Sequence, residues 1–159
     1  MVDAIAPICR DRRILMDIVV GPGFPWEQSV RDTLLEWGNE RWYFTRETGM
    51  MAQIMSRCQL AFVSNGRTVY ELAHMHVPAV VVSHSERENT HDFARDENGF
   101  YNLGVYEQGE TKYRVREAFE LLLFDDVGTR WALWEAMRRF DLSGNKARVA
   151  RRILEVVDG

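Results

Sequence analysis

The sequence predicts a doubly wound α/β domain, a parallel sheet covered by helices on both faces. Two observations carry this. Short apolar runs, Asp17-Ile18-Val19-Val20, Leu60 to Val63 and Ala79 to Ser83, are rich in valine and show little polar alternation, as strands buried on both faces do. Single stretches of helical period separate them, and parallel strands need such a crossover to bring the chain back.

The elements follow in order. Before the first strand, Asp3, Pro7 and the charges that follow break any leader-like apolar run. The strand at 17–20 closes on Gly21-Pro22-Gly23. Pro25 then opens a helix in which Trp26, Val30, Leu34 and Trp37 keep the helical period, and Gly38 ends it. Arg41 to Phe44 is the second strand. Thr48 is expected to cap the next helix, where Met51, Ile54, Met55 and Cys58 share a face as core. Strands at 60–63 and 79–83 enclose a helix whose inward face is Val69, Leu72, Ala73 and His76, with Pro78 marking its end. A further helix is expected from Thr90 to Asn98, closed by Gly99, before a short strand near Asn102-Leu103. Everything beyond Lys112 reads helical: Val115, Phe119 and Leu122 in one piece, Trp131, Trp134 and Met137 in another. Asp125-Asp126 is expected as a loop that starts the next helix, not as a carboxylate pair for glycoside hydrolysis. Ser143 is expected to cap the last helix, with Ala147, Ala150, Ile153 and Leu154 inward.

No linker, repeat or low-complexity segment divides the chain, so residues 1–159 read as one domain. Its 46% hydrophobic residues supply a core, and a formal net charge of −4 argues against a nucleic-acid binder held by bulk electrostatics. Two cysteines, Cys9 and Cys58, form neither a disulfide framework nor a thiolate metal motif, which suits reduced residues of a cytoplasmic protein. No apolar run approaches the length of a membrane span.

The chemistry concentrates where the third strand ends. Ser64-Asn65-Gly66-Arg67-Thr68 leads from a buried strand into a helix, whose first N–H groups and dipole favour an anion. Phosphate binds readily in such a place. Gly66 permits close backbone approach, Ser64 and Thr68 bring hydroxyls, and Arg67 brings a full charge. The same residues also suit a plain Asn-Gly turn followed by a Thr cap. Glu71, one helical turn past Arg67, is placed to accept hydrogen bonds from two ribose hydroxyls, as the acidic residue of dinucleotide folds does. There is no Walker loop, GxGxxG or nucleophile elbow. His84, Glu86, Glu88, His91 and Asp92 form a dense run but match no metal template, so no metal is expected.

Two stretches, "SNGRTVYELAHMHVP" and "ERENTHDFARDENGFYNLG", together with "DIVVGPGFP" upstream and "DLSGNKARVARRIL" at the end, carry a family resemblance. The chain resembles the C-terminal half of GT-B nucleotide-sugar enzymes. It is most similar to the UDP-sugar hydrolases of pseudaminic acid synthesis and the related spore-coat polysaccharide proteins. The resemblance covers nearly the whole chain. It implies a Rossmann-like fold that binds UDP or a UDP-sugar without a further cofactor. Ser64, Asn65, Gly66 and Thr68 would face the diphosphate, Arg67 beside them, and Glu71 the ribose. Met51 would lie against the base, and Asn89 and His91 near the sugar or diphosphate. The pattern departs at Arg67, where the family has a second glycine, at Thr90, where it has glutamine, and at His76, where it has glycine. The resemblance further implies an N-terminal domain, with the catalytic histidine, and a first strand that this sequence does not contain. No residue here inherits the catalytic role. A second class of function is also open: a non-catalytic interaction module, possible as a homodimer, in which an uncovered strand pairs with another chain.

Overall fold

The computed structural model describes residues 1–46, 49–124 and 127–157. Thr48 and Asp125-Asp126, for which a cap and a loop were expected, lie outside the described residues. The fold is α/β, and the strand pairings among the described residues are all parallel.

The chain opens with a helix that the sequence reading does not assign, α1 (Val2–Asp11). Pro7 lies inside it, where proline removes a donor and ordinarily breaks a helix. Tertiary contacts override that cost. Ala4, Ile5, Ala6, Ile8 and Cys9 are all buried, and the Asp3 carboxylate accepts a 2.9 Å hydrogen bond from the Trp37 indole and pairs with Lys112. These two donors, Lys112 foremost, hold the Asp3 carboxyl below the ordinary carboxylate range.

Strand β1 (Met16–Val20) runs through helix α2 (Glu27–Glu36) to β2 (Trp42–Arg46), which pairs with it from Met16 opposite Trp42 to Val20 opposite Arg46. Helix α3 (Met51–Met55) leads to β3 (Ala61–Val63), α4 (Thr68–Met75) and β4 (Ala79–Ser83). A one-turn helix, α5 (Glu86–Asn89), and a 3-10 turn at Asp96–Asn98 precede β5 (Phe100–Val105). Helices α6 (Thr111–Phe124), α7 (Val127–Met137) and α8 (Asn145–Val157) complete the described chain.

The strands form two sheets where one was expected: β1 with β2, and β3-β4-β5 with β4 in the middle. The Met16 N–H donates to the Arg41 carbonyl at 3.0 Å, so Asp17 and Val19, which alternate with it, turn their main-chain groups away from β2. The Ala61 N–H donates to the Pro78 carbonyl at 2.9 Å, so Phe62 turns its groups away from β4. No ladder joins these two edges. They are nonetheless tied: Arg57 reaches Asp17 at 2.6 Å, and Met16, Ile18, Phe62 and Val80 share a core with α1 and α6. Burial records the division. All five residues of β4 are buried, whereas β3 is half-buried throughout.

Strand β4 serves two cores. Val80 and Val82 pack with Val115, Ala118 and Phe119 of α6, while Ala79 and Val81 pack with Val69, Leu72 and Ala73 of α4, Met55 of α3 and Met137 of α7. Helices therefore cover both faces of the three-stranded sheet, which fixes the position of α4.

Two helix expectations need correction. The segment 90–98 is not a continuous helix: the Ser85 hydroxyl accepts from the Glu88 N–H and starts the helix early, at Glu86, and it stops at Asn89. Gly99 does close the following turn, at φ 90°, where a Cβ would stand 2.5 Å from the Leu133 carbonyl oxygen. In α8, Ala147, Ala150, Ile153 and Leu154 are not inward but exposed. Ser143 does not cap that helix, because its hydroxyl and N–H both donate to the Asp141 carboxylate. Trp26 and Trp131 are likewise exposed. Period identifies residues that share a face; it does not supply a surface for that face to meet. Among the described residues no helix is long and apolar enough to cross a membrane.

Candidate functional site

β3 and β4 are parallel neighbours, so the loops that leave their carboxyl ends lie side by side. The first is Ser64 to Arg67, which delivers the chain to α4. That helix begins without a side-chain cap: Arg67 stands at the N-cap, and Thr68 is the first helical residue. The Val69 N–H donates to the Gly66 carbonyl at 3.3 Å and the Tyr70 N–H to the Arg67 carbonyl at 3.1 Å. The N–H groups of Gly66, Arg67 and Thr68 have no partner among the described residues. Three successive main-chain donors thus stand at the positive end of an eight-residue helix. A Cβ on Gly66 would meet only the Ser64 hydroxyl, at 3.7 Å, and Ser64 and Arg67 are exposed.

Asn65 takes a different position from its neighbours. Its side chain is fully buried and turned inward, where its amide nitrogen donates to the carbonyls of Glu88 at 3.0 Å and His91 at 3.1 Å. The amide oxygen is buried and unpaired. His91 returns the contact, with Nδ1 2.9 Å from the Asn65 carbonyl. A carbonyl only accepts, so Nδ1 is the donor. Residues 65 and 91 therefore bolt the two loops together, and Asn65 positions the site through its backbone.

The second loop is set by the Ser85–Glu88 reciprocal cap. The Glu88 carboxylate accepts from the His84 N–H at 2.7 Å while the Ser85 hydroxyl accepts from the Glu88 N–H. Asn89 sits half-buried, with its side-chain oxygen 3.5 Å from the Ser83 hydroxyl. The Asn65 bonds to Glu88 and His91 thus bring the segment that holds Asn89 and His91 beside the loop that leads into α4.

Arg67 and Glu71 are both exposed and do not form the i,i+4 ion pair that would compete for the arginine, although Glu27 and Arg31 form one at 2.8 Å on α2. Both remain available to a ligand. Tyr70 stacks on Phe93 with ring centroids 4.4 Å apart, and Phe93 packs on Phe140. This aromatic wall beside the loop was not read from the sequence, since its two members lie 23 residues apart. The Ser85–Glu88 cap was legible as Ser-x-x-Glu. Met51 opens α3 and packs, half-buried, against the core that holds Val69 and Leu72.

Among the described residues no three His, Cys, Asp or Glu side chains converge as a metal set. Two cavities lie elsewhere, about 290 Å³ beside Tyr101 and Arg114 and about 340 Å³ beside Met75 and Trp134. The candidate site is instead an exposed shelf of main-chain donors, hydroxyls and one arginine. Neither a protein-family model, nor a curated protein, nor a solved structure matches the chain.

Proposed function

We propose that this chain binds UDP or a UDP-sugar. In this proposal it is the nucleotide-binding, Rossmann-like half of a GT-B glycosyltransferase or UDP-sugar hydrolase of surface-polysaccharide or nonulosonic-acid biosynthesis. The observation that supports it most is the run of three N–H groups at Gly66, Arg67 and Thr68, without partners among the described residues, at the N-terminal end of a helix. The diphosphate accepts from these donors, from the Ser64 and Thr68 hydroxyls and from the unpaired Arg67. Such preorganised donors stabilise charge that develops on a leaving diphosphate. Glu71, one turn along, accepts from the ribose hydroxyls. Met51 takes the base side, and Asn89 with His91 Nε2 the sugar side. In this proposal the chain acts together with a further domain that carries the catalytic histidine and is not catalytic alone.

Titration with UDP, followed by amide chemical shifts, tests it. Shifts should centre on Gly66, Arg67, Thr68 and Glu71. No response there at millimolar UDP would discard the proposal.

One observation favours a second use of the same fold, as an interaction module. Among the described residues the main-chain groups of Asp17 and Val19 on β1 and of Phe62 on β3 have no ladder partners, and open edges invite another strand. Sedimentation separates the two: a tight dimer indifferent to UDP supports the module.

A further inference from the structure

Helix α8 has no buried residue along its length, yet it carries a full apolar face. Val149, Ile153, Leu154, Val156 and Val157 are between 58% and 74% exposed. At about 100° per residue these side chains, with Ala147 and Ala150, occupy one contiguous arc of roughly half the circumference. Arg151 and Arg152 fall about 40° beyond its two margins, one on each side. Arg148 and Glu155 lie near the middle of the opposite face, while Lys146, in the first turn, falls near the middle of the angular span of the apolar arc. Arg148 donates back to the Asp141 carbonyl at 2.9 Å, and Arg152 pairs with Glu155 at 2.9 Å. Arg151 has no partner among the described residues.

The charge distribution matches this placement. Residues 127–159 hold seven Lys or Arg against four Asp or Glu, while residues 1–126 hold 13 against 20. A basic segment thus ends an acidic body. We propose that α8 is an interfacial helix that lies on an anionic lipid surface, its aliphatic face among the acyl chains and Arg151 and Arg152 at the phosphate level. The flanking arginines favour lipid over a protein groove. Long cationic side chains at both margins of an apolar arc extend their heads to the headgroup plane while their stems stay apolar. In a groove the same positions would meet the groove's walls. A helix of this length is also marginal in water without a surface to lie on, and α8 packs no side chain into the body.

The test uses the intact chain with vesicles of phosphatidylcholine alone or with roughly a third phosphatidylglycerol, conditions that separate apolar from electrostatic binding. Co-sedimentation should occur with the anionic vesicles, weaken with added salt as screening grows, and fail with neutral ones. Each arginine near an anionic surface contributes roughly a fivefold gain, so R151A/R152A should weaken binding about 25-fold. I153D, in the centre of the arc, should abolish it. Because α8 has no buried residue, both variants should leave the thermal transition of the body unchanged. Three results would overturn the proposal. These are no binding to anionic vesicles at low salt, equal binding to neutral ones, or a lipid-free dimer that I153D dissolves, which would assign the face to a second copy.

Discussion

Replacing Asn65 tests whether one buried amide ties the two loops of the site together. Its nitrogen donates at 3.0 and 3.1 Å to the carbonyls of Glu88 and His91, from a position with no solvent exposure. Alanine removes two neutral hydrogen bonds, each worth about 1 kcal/mol net, and leaves two carbonyls short of a donor. Asn65→Ala should therefore cost about 2–3 kcal/mol. For a chain of this size that is a fall in Tm of about 4–12 °C. Aspartate is nearly isosteric but places an oxygen where the donor stood, facing two carbonyl oxygens. An ionised, unpaired carboxylate there should cost about 3–5 kcal/mol. A protonated one still serves one carbonyl, so burial raises the folded-state pKa above the unfolded value of about 3.9. The sign follows: between those two values the folded state binds more protons, and stability falls as pH rises. Thermal unfolding by circular dichroism at about pH 5 and about pH 7.5 reads the difference. Asn65→Asp should lose further stability at the higher pH while Asn65→Ala keeps the same deficit. If both variants match the wild type, or lose equally at both pH values, the amide does not carry the junction.

Three further outcomes follow from the site and the core. Glu71→Ala should weaken UDP by about 1.5–3 kcal/mol, as loss of charge-assisted hydrogen bonds does, and barely affect 2′-deoxy-UDP; calorimetry that finds equal losses for both removes Glu71 from the ribose. Arg67→Gly should reduce UDP affinity most at low ionic strength and change Tm little, since Arg67 has no ion pair to lose; unchanged or tighter binding would mean that the arginine obstructs the shelf. Burial pushes the Cys9 thiol up to about 12, and burial with the Asp17 charge nearby raises Cys58. Iodoacetamide near neutral pH should therefore leave Cys9 unmodified by mass spectrometry until urea unfolds the chain; Cys9 modified at the rate of a free thiol would contradict its place in the core.

How much of this was legible depends on the kind of information each feature needs. The strands were legible because Val-rich runs have no other good destination than a buried sheet: Ala79–Ser83 was read to the residue. The inward face of α4 followed from period for Val69, Leu72 and Ala73, which are buried, but not for His76, which lies beyond the helix as its half-buried left-handed C-cap. Helix α1 was not legible, because Pro7 argues locally against a helix that only its contacts with α2 and α6 sustain. The division into two sheets was not legible either, since an apolar run reports that a strand is buried, not which edge it pairs with. In the site, Ser64, Gly66 and Thr68 could be placed by their offset from the strand end. The inward turn of Asn65 could not, because its acceptors are main-chain carbonyls, which every residue has.

His76 shows how the helix of the candidate site is held. The end of α4 requires a left-handed residue, and His76 adopts it at φ 55° and ψ 42°. Glycine meets that requirement without cost, while a side chain there costs about 1–2 kcal/mol. Here the imidazole recovers part of it: Nε2 lies 3.3 Å from the Phe140 carbonyl and must be the donor. Two residues earlier, His74 Nδ1 accepts from the Leu142 N–H at 3.3 Å. Both histidines therefore grip the segment between α7 and α8, and a glycine at 76 would release one of those grips. At its other end α4 presents the three free N–H groups, and along its length Val69, Leu72 and Ala73 are locked in the core. A helix fastened by its flank and its tail cannot retreat from charge at its head. His76 thus helps to keep α4 fixed, so the free N–H groups at its start would need no rearrangement to meet the phosphate that the proposed function places there.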